Sequence, residues 1–362
     1  MQSLTWGQVL GWRMRRQFIE IPAEAGGTGE ASAVEIARRL AGVQAQVASA
    51  AELAVALRQG DPAGAVPVAS AVTERSLVKT WAMRGTLHLL PVEEAGAYLT
   101  LCALVRNWEK PVWQRNFGAT PADLEAIADA ARTALAGGAV LTREELTNAV
   151  VEETGSDHLA EVLGSGWGTL LKPLAWWGVL CFGPSQGNRV TFTAFDPAWR
   201  MPEVDEAARI VVRAFLGAHG PATLDMFDNW LMRKTNRKKD VKEWFAAVGD
   251  ELATVEVEGV PMYVLSEHED ELRASEPSRS VRLLGGFDQY VLGAGTSATY
   301  LVPAEHRTQV SRAGGWISPV VVHEGRVAGV WEAKDGDIAV TAFEDVPKGP
   351  LADAVERVRT LL

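Results

Sequence analysis

The chain has 362 residues, of which 47% are hydrophobic and 22% are charged. These proportions are ordinary for a globular protein, so they exclude intrinsic disorder and a fibrous repeat, and the length predicts two or three domains at roughly 150 residues each. The 35 basic and 46 acidic side chains give a net charge of −11, which excludes a uniformly basic nucleic-acid binder and leaves a local basic face as the route to a polyanion.

Cysteine usage and hydropathy indicate an intracellular setting. Cys102 and Cys181 lie far apart in apolar runs, so there is neither a disulfide framework nor a CxxC motif. The N-terminal segment lacks the continuous apolar stretch of a signal peptide, and the run 174–182 is much shorter than the ~20 residues of a membrane span. We therefore expect a cytoplasmic protein without a membrane contact.

Helix-start and helix-stop signals recur along the chain. Ser32 and Glu35 have the spacing of a capping box, in which each side chain bonds a free backbone N–H of the first turn. The same pattern recurs at Thr142 and Glu145, and Thr120 precedes a proline at the first helical position. Helices are predicted over 33–41, from 121 to the paired glycines at 137–138, from 143, and over 225–232, 238–248 and 351–362.

Three stretches share the pattern of a short helix followed by two brief β-like segments. They start at Leu77, Leu170 and Trp244, so their starts lie about 75 to 95 residues apart. Helices followed by a two-stranded hairpin are the order of a winged helix-turn-helix, which offers a helix to a DNA groove and a hairpin to the backbone. The sequence therefore predicts an α+β protein with three tandem winged helix-turn-helix motifs, over 1–117, 118–200 and 201–275.

The pattern changes after about residue 276. Short β-prone runs are separated by glycine-rich or charged turns, a spacing that suits a small antiparallel barrel. We predict a C-terminal antiparallel β-barrel over 276–362 that ends in the amphipathic helix 351–362.

Standard metal, nucleotide and hydrolase motifs are missing from the sequence. The six histidines stand singly, without an HExxH pair or another ligand spacing. No glycine-rich run carries the lysine and hydroxyl residue of a phosphate-binding loop, and no GxSxG elbow occurs. We predict neither a metal site nor a cofactor.

The segment GVQAQVAS at 42–49 alternates polar and apolar residues after a predicted helix end. In extended backbone, residues two apart share a face, so Gln44 and Gln46 project together while the apolar residues beside them face the core. Two neighbouring carboxamides offer four donors and two acceptors, enough to hold a water or a sugar without adding charge. The alternative interpretation is a pair of surface glutamines on a half-buried strand.

A basic segment lies at 229–244 in this acidic chain. It holds six basic and two acidic residues, a local charge of +4 that suits a phosphate-backbone contact. A solvated helix face is the alternative interpretation. Two further candidates lie on the predicted first wing. Together, the predicted DNA-contacting residues are Arg84, His88, Arg233, Lys234, Arg237 and Lys238.

Four motifs follow one another along the chain, namely GVQAQ at 42–46, TWAMRGTLHLL at 80–90, GGFDQYVLG at 285–293 and VHEGRVAGVWE at 322–332. In this order they resemble the AlkZ-like DNA glycosylases, a family of bacterial winged-helix proteins, over essentially the whole chain. The resemblance implies three tandem winged-helix motifs and a β-barrel that form a C-shaped clamp around DNA. It also implies that Gln44 and Gln46 are the catalytic Gln-aliphatic-Gln motif, which hydrolyses the N-glycosidic bond of alkylated purines.

With Gln rather than Asp at position 46, the motif resembles that of the branch associated with self-resistance to DNA-alkylating natural products, including crosslinking agents. A purine alkylated at N7 is already cationic, so its departure needs no general acid, and uncharged amides suffice to position water at C1′. The expected function is monofunctional hydrolysis of bulky N7-alkylguanine adducts, with interstrand crosslinks included. The expected partner is double-stranded DNA carrying alkylated purines, bound by a monomer at an open concave site without a metal.

Two non-enzymatic interpretations stay open at the level of sequence. A winged-helix regulator or a drug-sequestration protein would use the basic segment and give the glutamines no chemical task. A protein-interaction scaffold built from winged helices would agree with the acidic composition.

Overall fold

The computed structural model describes residues 3–20, 32–59, 68–164, 168–196, 198–334 and 336–362. The described chain combines helices with short antiparallel sheets, which confirms the predicted α+β class. No helix in these ranges is both long and apolar enough to cross a membrane.

The first group of elements builds a three-stranded sheet. Ser32 accepts a hydrogen bond from the Glu35 backbone N–H at the start of the second helix, as the sequence predicts. The strands pair in the order β1-β3-β2, so that β2 and β3 form the first predicted hairpin. The elements are α1 (Trp6–Arg16), α2 (Ala33–Arg39), β1 (Val43–Gln44), α3 (Ala48–Ala56), α4 (Val68–Thr73), β2 (Leu77–Trp81) and β3 (Leu87–Pro91).

The second group repeats this order with shorter strands. Thr120 and Thr142 each start a helix with a capping box, and the helix after Thr120 ends before the paired glycines, as predicted. The strands pair in the order β4-β6-β5. The elements are α5 (Val92–Ala103), α6 (Pro111–Phe117), α7 (Pro121–Ala134), β4 (Leu141–Thr142), α8 (Arg143–Thr154), α9 (Asp157–Gly164), α10 (Leu171–Trp176), β5 (Cys181–Phe182) and β6 (Thr191–Thr193).

The third group ends in a two-stranded antiparallel hairpin. Leu4 extends this hairpin through a parallel bridge to Val257, and α1 packs against α11 and α14. The N-terminal helix therefore lies with the third group rather than with its own sheet. The elements are α11 (Val204–His219), α12 (Leu224–Met232), α13 (Lys238–Val248), β7 (Leu252–Val257), β8 (Val260–Leu265) and α14 (Glu269–Arg273).

One continuous apolar core joins the three groups, with buried members from Ala41 to Leu265. Helices followed by antiparallel strands do recur three times along the chain. The assignment of these groups as three winged helices stays a prediction, as do the boundaries 1–117, 118–200, 201–275 and 276–362.

The C-terminal region is an open sheet, which corrects the predicted barrel. Its strands pair in the order β12-β11-β10-β9, and within the described residues the two edge strands do not pair with each other. The elements are β9 (Val281–Leu284), α15 (Gln289–Ala294), α16 (Arg307–Val310), β10 (Val320–His323), β11 (Arg326–Lys334), β12 (Asp337–Ala342) and α17 (Lys348–Arg359).

Helices on both faces explain why this sheet does not close. Val321 packs in one apolar cluster with Leu53 of α3 and Val358 of α17. Its neighbour Val320 packs in a second cluster with Met14 of α1. Alternate residues of a strand point to opposite faces, so both faces of the sheet are covered and no barrel interior is needed to bury them.

Candidate active site and nucleic-acid interface

The two candidate catalytic glutamines lie where a strand gives way to a helix. Gln44 ends β1 and pairs with His88 of β3, after which the chain bends and α3 begins at Ala48. Gln44 is buried, with 6% of its surface exposed, whereas Gln46 is exposed. The predicted strand alternation therefore ends at Gln44, and Gln46 reaches solvent from the bend.

Gln46 is anchored to the neighbouring strand by its own side chain. The Leu87 backbone N–H donates to Gln46 Oε1 at 3.4 Å, while the Ala45 backbone N–H donates to the Leu87 carbonyl oxygen at 2.7 Å. The carboxamide thus takes the place of a backbone carbonyl where the main chain leaves the sheet. Its oxygen faces the strand, which leaves its NH₂ group on the exposed side.

A row of three polar side chains crosses the sheet at Gln44. His88 lies opposite both Gln44 and Thr80 in the antiparallel register, so the three side chains project from one face. His88 and Thr80 are fully buried. Gln44 Oε1, His88 Nε2 and Thr80 Oγ1 are buried and have no hydrogen-bond partner among the described residues. Such orphaned atoms are rare in native proteins, so this row is a candidate functional feature.

His88 is held as a single neutral tautomer. Its Nδ1 lies 3.0 Å from the Thr86 carbonyl oxygen and donates to it, so Nε2 keeps its lone pair. Burial, followed by the nearby Arg84 charge, lowers the pKa of His88 to about 3. The sequence predicts that His88 contacts DNA. The structure corrects this prediction, because the side chain has no exposed surface and no charge at neutral pH.

The basic segment is divided between two helix ends and is partly neutralised. α12 ends at Met232, the next two residues are left-handed, and α13 begins at Lys238. Exposed ion pairs of this kind contribute little stability, but they reduce the local positive charge. The basic segment has three such ion pairs among the described residues, with these nitrogen-to-oxygen distances: Lys234–Asp225 at 3.2 Å, Arg237–Asp240 at 2.8 Å and Lys239–Glu243 at 3.6 Å.

Folding brings Arg233 close to Arg84. Arg84 lies in the turn between β2 and β3, where its Nη1 donates to the Trp230 carbonyl oxygen of α12 at 2.7 Å. Both arginines and Lys172 of α10 line one cleft of about 470 Å³, which we call the basic groove. Sequence reasoning misses Lys172, because one lysine in an apolar helix forms no pattern that indicates DNA. Lys234, Arg237 and Lys238 do not line this groove.

Two other sequence predictions concern metal ions and cysteine. Within the described ranges, no group of three or more His, Cys, Asp or Glu side chains is placed to hold a metal ion. Cys102 and Cys181 are free and buried, as the sequence predicts. Burial raises the pKa of each thiol to about 12, so both are protonated at neutral pH.

The structure thus combines helix-and-hairpin groups with a basic groove beside a hairpin, which are features that DNA-binding proteins use. The sequence matches the family described as DNA glycosylase AlkZ-like over residues 37–360. It is 50% identical over 358 residues to the interstrand DNA cross-link repair glycosylase of Streptomyces sahachiroi, which covers 98% of this chain and 94% of that protein.

The solved structure of Streptomyces sahachiroi DNA glycosylase AlkZ matches the fold with a TM-score of 0.91 at 47% identity, over 99% of this chain and 98% of that one. The chain therefore belongs to the AlkZ-like DNA glycosylase family. It is a DNA glycosylase and a DNA-repair enzyme, so the regulator, sequestration and scaffold interpretations are set aside.

Proposed function

We propose that this enzyme hydrolyses the N-glycosidic bond of N7-alkylguanine in double-stranded DNA, and that bulky adducts and interstrand crosslinks are among its substrates. The relative at 50% identity is named an interstrand DNA cross-link repair glycosylase, which supports the crosslink part of the proposal. The Gln-x-Gln motif at 44–46 supports a role in self-resistance to a natural product that alkylates DNA.

The chemistry suits uncharged catalytic side chains. Because N7 alkylation makes the purine cationic, the C1′–N9 bond breaks with its electron pair going to N9, and the base leaves neutral. Water adds to C1′ of the oxocarbenium-like sugar and releases a proton to solvent, which leaves an abasic site. A general base typically accelerates such a reaction by ~10²- to 10⁴-fold. The activated leaving group makes that acceleration dispensable.

The observation that carries the proposal is the hydrogen bond that orients the Gln46 side chain on the β2-β3 hairpin. Gln46 is exposed, yet its carboxamide is oriented by the Leu87 backbone N–H. A side chain that is both accessible and oriented can hold water against a bulky lesion without enclosing the base in a pocket. This arrangement favours an open site, which a crosslinked base requires because it cannot leave the duplex freely.

For His88 we propose a positioning role in place of a DNA contact. The two ends of a carboxamide are similar in size, so a half-turn about the last side-chain bond exchanges them. With its NH₂ turned inward, Gln44 donates to the lone pair of His88 Nε2. Its oxygen then faces outward, where it accepts a hydrogen bond from the attacking water. The buried and unpartnered Nε2 on the same sheet face supports this role.

Among the DNA-contact candidates, we propose that Arg84 and Arg233 are the main phosphate contacts. They line one groove, and neither is in a salt bridge with a described carboxylate. Lys234, Arg237 and Lys238 contribute less, since the first two already share their charge with an aspartate.

The first experiment measures base release from a duplex that carries one 7-methylguanine. We expect the wild-type protein to release free 7-methylguanine and leave unmodified guanine intact. Gln46→Ala should lower the single-turnover rate at least tenfold, about 1.4 kcal/mol in the barrier, because the water loses its oriented neighbour. Gln309→Ala, an exposed glutamine on α16, is the matched control and should keep the wild-type rate.

A second arm uses a duplex with a defined N7-guanine interstrand crosslink, separated on a denaturing gel. The proposal expects strand separation that depends on Gln46. Release of neither 7-methylguanine nor the crosslinked base by the wild-type protein would refute the proposed substrate class.

A further inference from the structure

The basic groove has a composition of its own, and neither Gln44 nor Gln46 lines it. It is bounded by the β2-β3 turn, α6, α10 and the exit of α12. None of the described residues that line it is acidic. By contrast, a second cleft that shares Trp108 contains Glu109, Glu125 and Asp129 beside its arginines. Because no carboxylate is among these lining residues, no acidic side chain in the groove neutralises its positive charges.

The positively charged side chains of the groove repel one another. Burial, followed by the charge of Arg233, lowers the pKa of Arg84 to about 10. The same two causes, in the same order, lower the pKa of Lys172. Arg84 Nη2 is buried and has no hydrogen-bond partner among the described residues. Repulsion of this kind costs stability, and a bound anion would relieve it.

The rim of the groove is aromatic. Trp113 and Phe117 lie one turn apart on α6, with ring centroids 4.9 Å from each other. Phe117 is 38% exposed and Trp113 is half-buried, and α6 buries none of its residues fully. Proteins hold single nucleotides by stacking the base on a partly accessible aromatic ring and neutralising the phosphate with a nearby cation, and this groove offers both.

We propose that the basic groove is a nucleotide-binding site that holds one nucleotide unit of a DNA strand outside the amide site. The phosphate lies among Lys172, Arg233 and the free Nη2 of Arg84, and the base stacks on Trp113. This inference rests on the proposed function only in taking DNA as the source of the nucleotide. A free nucleotide offers the same chemistry, so the experiment separates the two sources.

The test of the site itself is thermal unfolding of the full chain with inorganic phosphate or dAMP at about 10 mM, since a ligand of the folded state raises Tm. We expect dAMP to raise Tm at least twice as much as phosphate. Lys172→Gln should leave the Tm of the free protein unchanged or higher, because it removes repulsion, and should abolish the dAMP shift. Trp113→Ala should reduce the dAMP shift to that of phosphate.

The matched control is Lys239→Gln, since the Lys239 side chain is 82% exposed and does not line the groove. It should keep the full dAMP shift. A wild-type protein with no dAMP shift, or a Lys172→Gln variant that keeps it, would overturn the proposal.

Titration of DNA binding with salt separates the sources of the nucleotide. If a DNA strand enters the groove, Lys172→Gln lowers the affinity for duplex DNA, and the slope of log K against log salt becomes shallower by about 0.7 to 0.9, because one phosphate fewer is neutralised. A dAMP shift with unchanged DNA affinity would overturn the DNA strand as occupant and assign the groove to free nucleotides. Both measurements are binding assays, so a protein that releases neither 7-methylguanine nor the crosslinked base would refute the proposed substrate class and leave this inference standing.

Discussion

Gln46 and Gln44 are held in different ways although only Ala45 separates them. Gln46 is oriented from the main chain by the Leu87 N–H, whereas the polar side chains that share a sheet face with Gln44 are those of His88 and Thr80. A backbone donor survives any substitution except proline, but an imidazole lone pair disappears when His88 is replaced. If Gln44 donates to His88 as proposed, catalysis should depend on His88 even though its side chain is fully buried.

The first residue-scale prediction tests whether His88 acts as a hydrogen-bond acceptor or only fills space in the core. His88→Gln retains an oxygen near the place of Nε2 and should keep kcat within about threefold of wild type, whereas His88→Leu should lower kcat about tenfold with KM unchanged. His88→Leu should lower Tm only modestly, because the Thr86 carbonyl oxygen loses the His88 donor but keeps the Ala82 N–H. Single-turnover kinetics and thermal unfolding on the same samples measure both.

A Gln44→Ala background supplies the control for this prediction. If His88 acts through Gln44, replacing His88 has little further effect on the rate once Gln44 is absent. Rate losses that simply add in the double variant would contradict the positioning role.

The second residue-scale prediction concerns acid. Burial, followed by nearby arginines, lowers the pKa of both His88 and His219 to about 3. The unfolded chain binds these protons below about pH 6.5 and the folded chain does not, so the free energy of unfolding falls as pH drops, by up to ~1.4 kcal/mol per pH unit for each histidine. Urea unfolding between about pH 7 and pH 5 should show this loss. His88→Gln should remove about half of this loss, because His219 keeps its contribution, whereas the exposed control His158→Gln should leave the loss unchanged.

At the scale of elements, the turn from α2 to β1 places the amide pair. Ala41 has a φ of 54° and Gly42 a φ of 96°, so the chain reverses in two left-handed residues before the strand starts. Position 42 is also crowded, since a Cβ there would lie 2.7 Å from Leu90 Cδ2 and 3.0 Å from Met83 Cε. The backbone conformation favours glycine, and the ends of the Leu90 and Met83 side chains would have to shift to admit a Cβ.

Gly42→Ala should therefore destabilise the protein by about 1–3 kcal/mol, through left-handed strain and the clash with Leu90. Because β1 begins at the next residue, the rate of base release should fall further than the loss of folded protein explains. Gly349→Ala is the control, since a Cβ there meets no atom within 4 Å. It lies in α17 and should be neutral or slightly stabilising. Equal Tm values for the two variants would contradict the argument.

At the scale of the whole molecule, a buried ion pair joins the first group to the C-terminal region. Arg58 Nη1 and Nη2 donate to Asp288 Oδ2 and Oδ1, each at 2.8 Å, and both side chains are 0% exposed. Arg58 also donates to the carbonyl oxygens of Gln17 and Ala54, and Asp288 caps α15 through the Tyr290 N–H. Each nitrogen and oxygen atom of the two charged groups thus has at least one hydrogen bond.

Asp288→Asn should cost about 3–5 kcal/mol of unfolding free energy, because it leaves the Arg58 guanidinium buried without a counter-charge. Arg58→Met combined with Asp288→Asn should recover part of that loss. The exposed pair between Arg132 and Asp129 is the control, and Asp129→Asn should change stability by less than about 1 kcal/mol. Chemical denaturation measures all four proteins, and a small effect of Asp288→Asn would show that the buried pair does not stabilise the fold.

Local patterns in the sequence determined the helices and the hairpins. The helix starts capped by Ser32, Thr120 and Thr142 and the helix 238–248 appear where the sequence predicts them, because these signals act within a few residues. The GVQAQ motif likewise indicated the candidate site, since a resemblance is itself carried by local residues.

Only the tertiary structure decided what depends on distant contacts. It paired Gln44 with His88, brought Lys172 to Arg84 and Arg233, and joined Arg58 to Asp288 across 230 residues. It also left the C-terminal sheet open, because helices from both ends of the chain cover its two faces. Burial, charge compensation and sheet closure depend on contacts between residues that are distant in the sequence. Local sequence patterns do not specify those contacts.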